Sequence, residues 1–327
     1  MPAMNLVQAI QSALDFKLGD DEQVLVFGED VGHEGGVFRV TQGLQEKYGE
    51  RRVFDTPLAE SVIMGAGLGM AVAGLRPVME IQFCGFIYPA VNQLVTHVSR
   101  MRNRSRGVFS APLTIRLPYG GGIQALELHS ESMEAMLAHI PGLKVVIPST
   151  PYDAKGLLIS AIECDDPVLF MEPKKVYRAF RQEVPLEAYR IPLGKASVVQ
   201  AGTRITLVAY GAMMRVARQA VELAALESIS VELIDLRSIY PVDTETLLDS
   251  VRKTGRLAVL HEGPTSFGVA AELIARVNEQ ALMWLEAPPR RICGFDTIMP
   301  LPMGEHHYMP SPERVLYELI QLHSFPE

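Results

Sequence analysis

Behind Asn5 and Gln8, the residues Leu6, Ile10, Leu14 and Leu18 recur every four positions, which predicts an amphipathic helix opened by a capping box. Residues 23–27 form a short apolar run ending in Gly28-Glu29-Asp30, the pattern of a buried strand that runs into a loop. Similar runs follow at 77–83, 113–117, 143–148 and 167–172. Helical stretches lie between them at 59–73, 88–102, 132–139 and 151–163. Strands alternating with helices predict crossover units and a mostly parallel sheet. From Lys174 to about Gly202 the alternation lapses into prolines and charges, the composition of a linker. It then resumes, with strands at 205–210, 230–236, 256–262 and 291–295 and helices at 212–226, 266–279 and 311–322. The expected fold class is therefore α/β, as two consecutive domains: residues 1–185, a linker at 186–202, and residues 203–327. There is no internal repeat or low-complexity tract.

Composition narrows the function classes. The 327 residues are 48% apolar and 21% charged, enough for two domains with large cores. A net charge of −8 without any basic run argues against a nucleic-acid partner. The three cysteines, Cys84, Cys164 and Cys293, are odd in number and far apart, which suggests a reducing compartment and no metal pair. The opening Met-Pro-Ala-Met-Asn has no basic or apolar leader region, so a cytoplasmic chain is expected. The longest apolar run without charge, residues 61–75, falls short of the roughly 18–20 residues that a membrane span needs.

In open α/β sheets ligands sit beyond the carboxyl ends of the strands, which directs attention to Glu29, Phe86, Gly120–Gly122 and Ser149. Thr56 and Pro57 suit the cap and first turn of the helix that begins the stretch 55–74, and Glu60 sits in its first turns. A carboxylate there either complements the helix dipole, worth about 0.3–1 kcal/mol, or is a functional acid held in a dry place. Gly65 and Gly69, four apart on one face, favour the second reading: each glycine costs a helix about 1 kcal/mol, a loss that makes sense if another backbone packs closely there. Gly65-x-Gly67-x-Gly69 lies inside this helix and lacks the dinucleotide spacing, so it is no Rossmann fingerprint; a nicotinamide-dependent oxidoreductase stays open as another class but would need a phosphate-binding glycine loop opening a helix, and none is found. Gln82-Phe-Cys-Gly-Phe86 ends a strand, and Gly85 is expected to let a flat partner approach the Phe86 ring. Gly120-Gly-Gly122 lacks the Lys-Ser/Thr of a phosphate loop and reads as a flexible segment carrying His129, whose imidazole suits proton transfer near neutrality. Ser130 and Ser132 belong to no nucleophile elbow. His97, His139 and His323 read as structural, the His306-His307 pair has no third metal ligand in view, and His261-Glu262 ends a strand of the second domain.

Thr-Pro-Leu-Ala-Glu60-Ser before a Gly/Ala-rich helix, with Gly28-Glu-Asp-Val-Gly32 upstream and Glu127-Leu-His-Ser-Glu-Ser132 downstream, resembles the beta subunit of the thiamine-diphosphate-dependent decarboxylating component of 2-oxoacid dehydrogenase complexes. The resemblance spans about residues 7–315. It implies a pyrimidine-binding domain followed by a transketolase-like C-terminal domain. Glu60 is then the acid that shares a proton with the cofactor's aminopyrimidine. Phe86 stacks on that ring, Leu58 and Gln82 help bind it, and Glu29 belongs to a nearby chain of buried acids. His129 acts toward the lipoyl group. A monovalent cation, K⁺, is implied around Leu113, Ala161, Cys164 and Asp166, although Cys164 stands where relatives often carry aspartate. The family's Mg²⁺-diphosphate motif, Gly-Asp-Gly followed by an Asn pair, is missing; Gly19-Asp20-Asp21 is the nearest string. The resemblance thus implies that an alpha subunit holds Mg²⁺ and the diphosphate, in an α₂β₂ heterotetramer that serves a dihydrolipoyl acyltransferase with its lipoyl domain. Glu127-Leu-His129 resembles the pyruvate type, whereas Cys293-Gly-Phe-Asp296-Thr leans toward the branched-chain type. Pyruvate is the expected substrate. A branched-chain 2-oxoacid or acetoin enzyme is the alternative within the family, and a non-catalytic assembly subunit the alternative outside it.

Overall fold

Asn5 caps the first helix, Leu6–Asp20, as its sequence predicts: its side chain accepts the Gln8 amide at 2.9 Å, and its own amide donates to Gln8 Oε1 at 3.1 Å. The buried stripe of that helix packs against the helix Pro151–Glu163, which Thr150 caps in turn. The computed structural model describes residues 1–326. Its strands run β1 (Ala3–Met4), β2 (Val24–Gly28), β3 (Val53–Asp55), β4 (Arg76–Glu80), β5 (Thr114–Tyr119), β6 (Lys144–Val146) and β7 (Val168–Pro173). There follow β8 (Gln182–Glu183), β9 (Ser197–Gln200), β10 (Ile205–Ala209), β11 (Val231–Asp235), β12 (Ser238–Tyr240), β13 (Leu257–Pro264) and β14 (Arg290–Gly294).

A seven-stranded sheet has the order β12-β6-β7-β5-β4-β2-β3 and is parallel except for β12. A five-stranded sheet has the order β14-β13-β10-β11-β9 and is parallel except for β9. The central strands are buried on both faces, which is why they read as apolar runs without alternation. Two expectations need correction. The segment 186–202 is not only a linker, because it contains β9, which pairs antiparallel with β11. And β12, from the second half of the chain, completes the first sheet by pairing with β6, so the two domains share a sheet. Both strands are too short, at four and three residues, to stand out from their surroundings. The helix Thr244–Thr254, whose caps Asp243 and Gly255 frame an amphipathic run, was likewise unforeseen.

At the centre of the first sheet Arg116 is fully buried between two acids. Its guanidinium donates to Glu80 at 2.6 Å and to both oxygens of Glu172, at 2.7 and 3.0 Å, while the Tyr177 hydroxyl donates to Glu172 at 2.6 Å. This network links β4, β5 and β7 just below the edge where the candidate site lies.

Candidate active site

Strands β2, β3, β4, β5 and β7 are parallel, so Glu29, Thr56–Glu60, Gln82–Phe86, the loop from Gly120 and Lys174 all leave the sheet at one edge. The chain passes from β2 to β3 on one side and then to β4 on the other. The topological switch therefore lies between β2 and β4, where a crevice is expected. Glu29 and Asp30 flank it from β2 and Gln82 from beyond β4, and the Gln82 amide donates across to Asp30 at 2.9 Å.

Glu60 is the first residue of the helix Glu60–Val72, with Ala59 as its cap, so the helix starts later than Thr56-Pro57 suggests. The Thr56 amide instead donates to the Gly28 carbonyl at 3.0 Å, which ties the loop back to β2 beside Glu29. Glu29 and Glu60 are both buried, and neither forms an ion pair among the described residues. Burial, with the charge of Glu60 second, pushes the Glu29 carboxyl up to about 6. Glu29 Oε1 and the Thr56 hydroxyl are buried without hydrogen-bond partners. Leu58, by contrast, is 81% exposed on the loop before the helix.

Phe86 lies in a short 3₁₀ turn, Cys84–Phe86, and is half-buried. His129 reaches it edge-on, with ring centroids 5.0 Å apart, and also leans on Phe83 at 4.4 Å. His129 Nδ1 lies 2.9 Å from the Glu127 carbonyl. A carbonyl only accepts, so Nδ1 carries the hydrogen and Nε2 is left as the free acceptor. Gly85 is required by this contact: a Cβ there would run into the Leu128 carbonyl. The loop carrying His129 is also not free, as the sequence suggested. Gly121 donates its amide to Glu262 Oε2 at 2.7 Å, Gly122 to Glu305 Oε1 at 2.6 Å and Gln124 to Glu305 Oε2 at 2.7 Å. Gly120 and Gly122 adopt φ of +85° with carboxylate and lysine atoms pressed against them, so close approach and backbone twist explain these glycines.

Other expected positions fall elsewhere. The Leu113 carbonyl accepts the Val168 amide at 3.0 Å, and the Ala161 carbonyl accepts the Cys164 amide at 3.2 Å. Arg76 reaches the Cys164 carbonyl at 3.3 Å. Lys144 donates to Cys164 Sγ at 3.0 Å and pairs with Asp166 at 3.2 Å, and Arg102 pairs with Asp166 at 2.6 Å. Resident cationic side chains thus already contact Cys164 and Asp166, while the Leu113 and Ala161 carbonyls accept backbone amides. His261 is a core histidine, 3.2 Å from Cys293 Sγ and pushed down to about 4 by burial. His306 and His307 are exposed, with their ring centroids 3.8 Å apart and the rings tilted by 41°. Among the described residues no three His, Cys, Asp or Glu side chains gather as a metal site. Sequence reasoning missed Lys174. It follows β7 at the same edge, its buried ammonium has no hydrogen-bond partner and lies 5.7 Å over the Phe83 ring, and burial pushes it down to about 8. Its position after a strand end was the signal available. A cleft of about 950 Å³ opens elsewhere, lined by Met133, Glu134, Tyr240, Phe267 and Arg276; none of Glu29, Glu60, Gln82 and Phe86 contributes to it.

The strand ends at this edge thus carry two buried acids, a half-buried aromatic ring and an exposed leucine; Glu29, Leu58, Glu60, Gln82 and Phe86 include no basic side chain, and the cation at the same edge is the buried Lys174. That donor set suits a protonatable aromatic heterocycle. Those five residues offer a diphosphate no cationic side chain, and the Gly121 and Gly122 amides are taken by carboxylates.

Comparison with known proteins agrees in extent. The family described as transketolase, pyrimidine binding domain, matches residues 2–179, and that described as transketolase, C-terminal domain, matches residues 194–315. The chain is 58% identical over 315 residues to the pyruvate dehydrogenase E1 component subunit beta of Acholeplasma laidlawii, covering 96% of each. It is 51% identical over 316 residues to the protein of the same name from Bacillus subtilis (strain 168), covering 97% of each. A solved structure titled split gene transketolase, inactive beta4 tetramer, shares the fold over 100% of both chains, with a TM-score of 0.82 at 19% identity.

Proposed function

The chain belongs to the family of pyruvate dehydrogenase E1 component beta subunits, built from a transketolase pyrimidine-binding domain and a transketolase C-terminal domain, and from that premise we propose that it acts with an alpha chain on pyruvate. The reaction is thiamine-diphosphate-dependent oxidative decarboxylation, with reductive acylation of a lipoyl group carried by a dihydrolipoyl acyltransferase. The alpha chain holds Mg²⁺ and the diphosphate, the assembly is α₂β₂, and it works in the cytoplasm. Among the described residues no helix is long and apolar enough to cross a membrane.

The observation that carries this reading is the pair Glu29 and Glu60, two buried carboxyls without a cationic partner at the sheet's switch crevice. When bound, thiamine diphosphate supplies the electron sink for decarboxylation. Glu60 exchanges a proton with the ring nitrogen of the pyrimidine. Glu29, kept partly protonated near pH 6, limits the negative charge beside it. Phe86 offers its ring to the heterocycle, and Leu58 and Gln82 complete its surroundings. His129, with Nε2 free, takes up or returns a proton at the lipoyl sulfur.

Glu60→Gln in the complex reconstituted with the alpha chain tests this. Decarboxylation measured with an artificial oxidant should fall by at least about 100-fold, the range for loss of a positioned acid, while circular dichroism and assembly stay unchanged. Near-wild-type turnover would remove Glu60 from the mechanism.

A further inference from the structure

We infer that Glu305, in the C-terminal domain, is a positioning residue for the loop that carries His129 and so governs acyl transfer rather than decarboxylation; the functional half of this statement rests on the role proposed for His129. Glu305 is 4% exposed and forms no ion pair among the described residues. Both of its oxygens are committed to one short piece of backbone, Oε1 to the Gly122 amide at 2.6 Å and Oε2 to the Gln124 amide at 2.7 Å. Burying a carboxylate without a cation is costly, and amide donors are the compensation this one has.

The loop has little else to hold it. Ile123, Gln124, Leu126, Glu127 and Leu128 are exposed. Its base is closed by the Gly120 amide on the Glu131 carbonyl at 3.0 Å, and its far end rests where the Leu128 carbonyl meets Gly85. Between these two points the hydrogen bonds from outside the loop are those of Glu305 and the single bond from Gly121 to Glu262, with Met299, Met309 and Lys175 packed against Gly121 and Gly122. Gln124 and Leu128 sit at φ of +54° and +65°, a left-handed conformation that non-glycine residues adopt when something fixes them. Without the Glu305 clamp, the path from Gly122 to His129 loses its fixed geometry. A displacement of about 1 Å at a reacting group can cost on the order of 100-fold in rate. Glu29, Glu60 and Gln82 leave other strand ends and make no hydrogen bond to this loop, and Phe86, which touches it through His129, is held by its own 3₁₀ turn.

The test compares Glu305→Ala, Glu305→Gln and His129→Ala in the reconstituted complex. Two rates are read, decarboxylation with an artificial oxidant and acylation of a free lipoyl domain. Amide exchange across residues 120–131 of the full chain is read as well. The expectation for Glu305→Ala is faster exchange at Gly122 and Gln124, acylation down by about 10–100-fold, and decarboxylation within about threefold of wild type. Glu305→Gln, which keeps one acceptor oxygen, should fall between. The double variant with His129→Ala should be no worse than His129→Ala alone. Unchanged exchange in Glu305→Ala would overturn the positioning role whatever His129 does. Faster exchange with equal loss in both rates would overturn the selectivity for transfer. If His129→Ala alone lowers both rates equally, the His129 reading fails, and the exchange result still decides whether Glu305 holds the loop.

Discussion

Glu29 carries the perturbation that marks the crevice, and its cause separates into parts that a single substitution can resolve. Burial is the larger part and the charge on Glu60 the next. Glu60→Gln should therefore lower the Glu29 titration point from about 6 without returning it to 4.5. Carbon-13 carboxyl titration of the folded chain reads this directly, and an unmoved Glu29 would mean that the two acids do not sense each other. At this scale the sequence disclosed much of the site. Glu60 before a glycine-rich helix, Glu29 after the first long strand and Phe86 after another are local patterns. His129 and Phe86 are brought together as a pair only by the fold, through a close approach at Gly85 that a one-dimensional reading attributes to a ligand. Glu305 and Glu262 were illegible as partners of the triple-glycine loop, because they lie more than a hundred residues away in the chain.

The helix Glu60–Val72 is apolar nearly all round, yet Val62, Ala66 and Gly69 face outward. An all-apolar helix is stable in water only when its open face is covered. Nothing lies within 4 Å of a Cβ placed at Gly69. Gly69→Ala should thus stabilise the isolated chain by about 1 kcal/mol through helix propensity and at the same time weaken association with the alpha chain. Thermal unfolding and a binding titration give the two signs, and improvement in both would show that no backbone packs there. In the sheet, Arg116→Ala leaves Glu80 and Glu172 buried without their cation and should cost about 3–5 kcal/mol in urea unfolding. The helix opened by Asn5 was readable from its capping box, and the helix Pro151–Glu163 from its apolar pattern with both boundaries. Strands β9 and β12 were not, because a few residues on a sheet edge leave no periodicity.

Across the whole molecule, the seam between the domains is polar and buried. The Tyr210 hydroxyl donates to Glu134 at 2.8 Å, and Glu262 reaches across to Gly121. Burial pushes Glu262 up to about 7. A carboxyl raised in the folded state is protonated in both states below about pH 4.5 and ionised in both above about 7. Its cost to folding therefore grows as pH rises through that window. His261, pushed down to about 4, acts in the opposite sense between about 4 and 6.5, so the contribution of Glu262 is best read as a difference. Glu262→Gln should gain stability relative to wild type by a few kcal/mol between pH 4.5 and 7, at 1.36 kcal/mol per pH unit. A pH-independent difference would mean that Glu262 does not titrate in that range. The two-domain plan was legible from the break in alternation, whereas the shared sheet and the seam were not, since both depend on pairing between distant segments.

The central claim is that this chain grips one end of a coenzyme whose other end belongs to a different polypeptide. Isothermal titration of thiamine diphosphate and Mg²⁺ into the chain alone, into the alpha chain alone and into the mixture tests it most directly, with pyruvate turnover followed in each. Tight, Mg²⁺-dependent cofactor binding with turnover in the mixture, and neither in this chain alone, is the predicted result. Stoichiometric cofactor and Mg²⁺ binding with full turnover by this chain alone would contradict it.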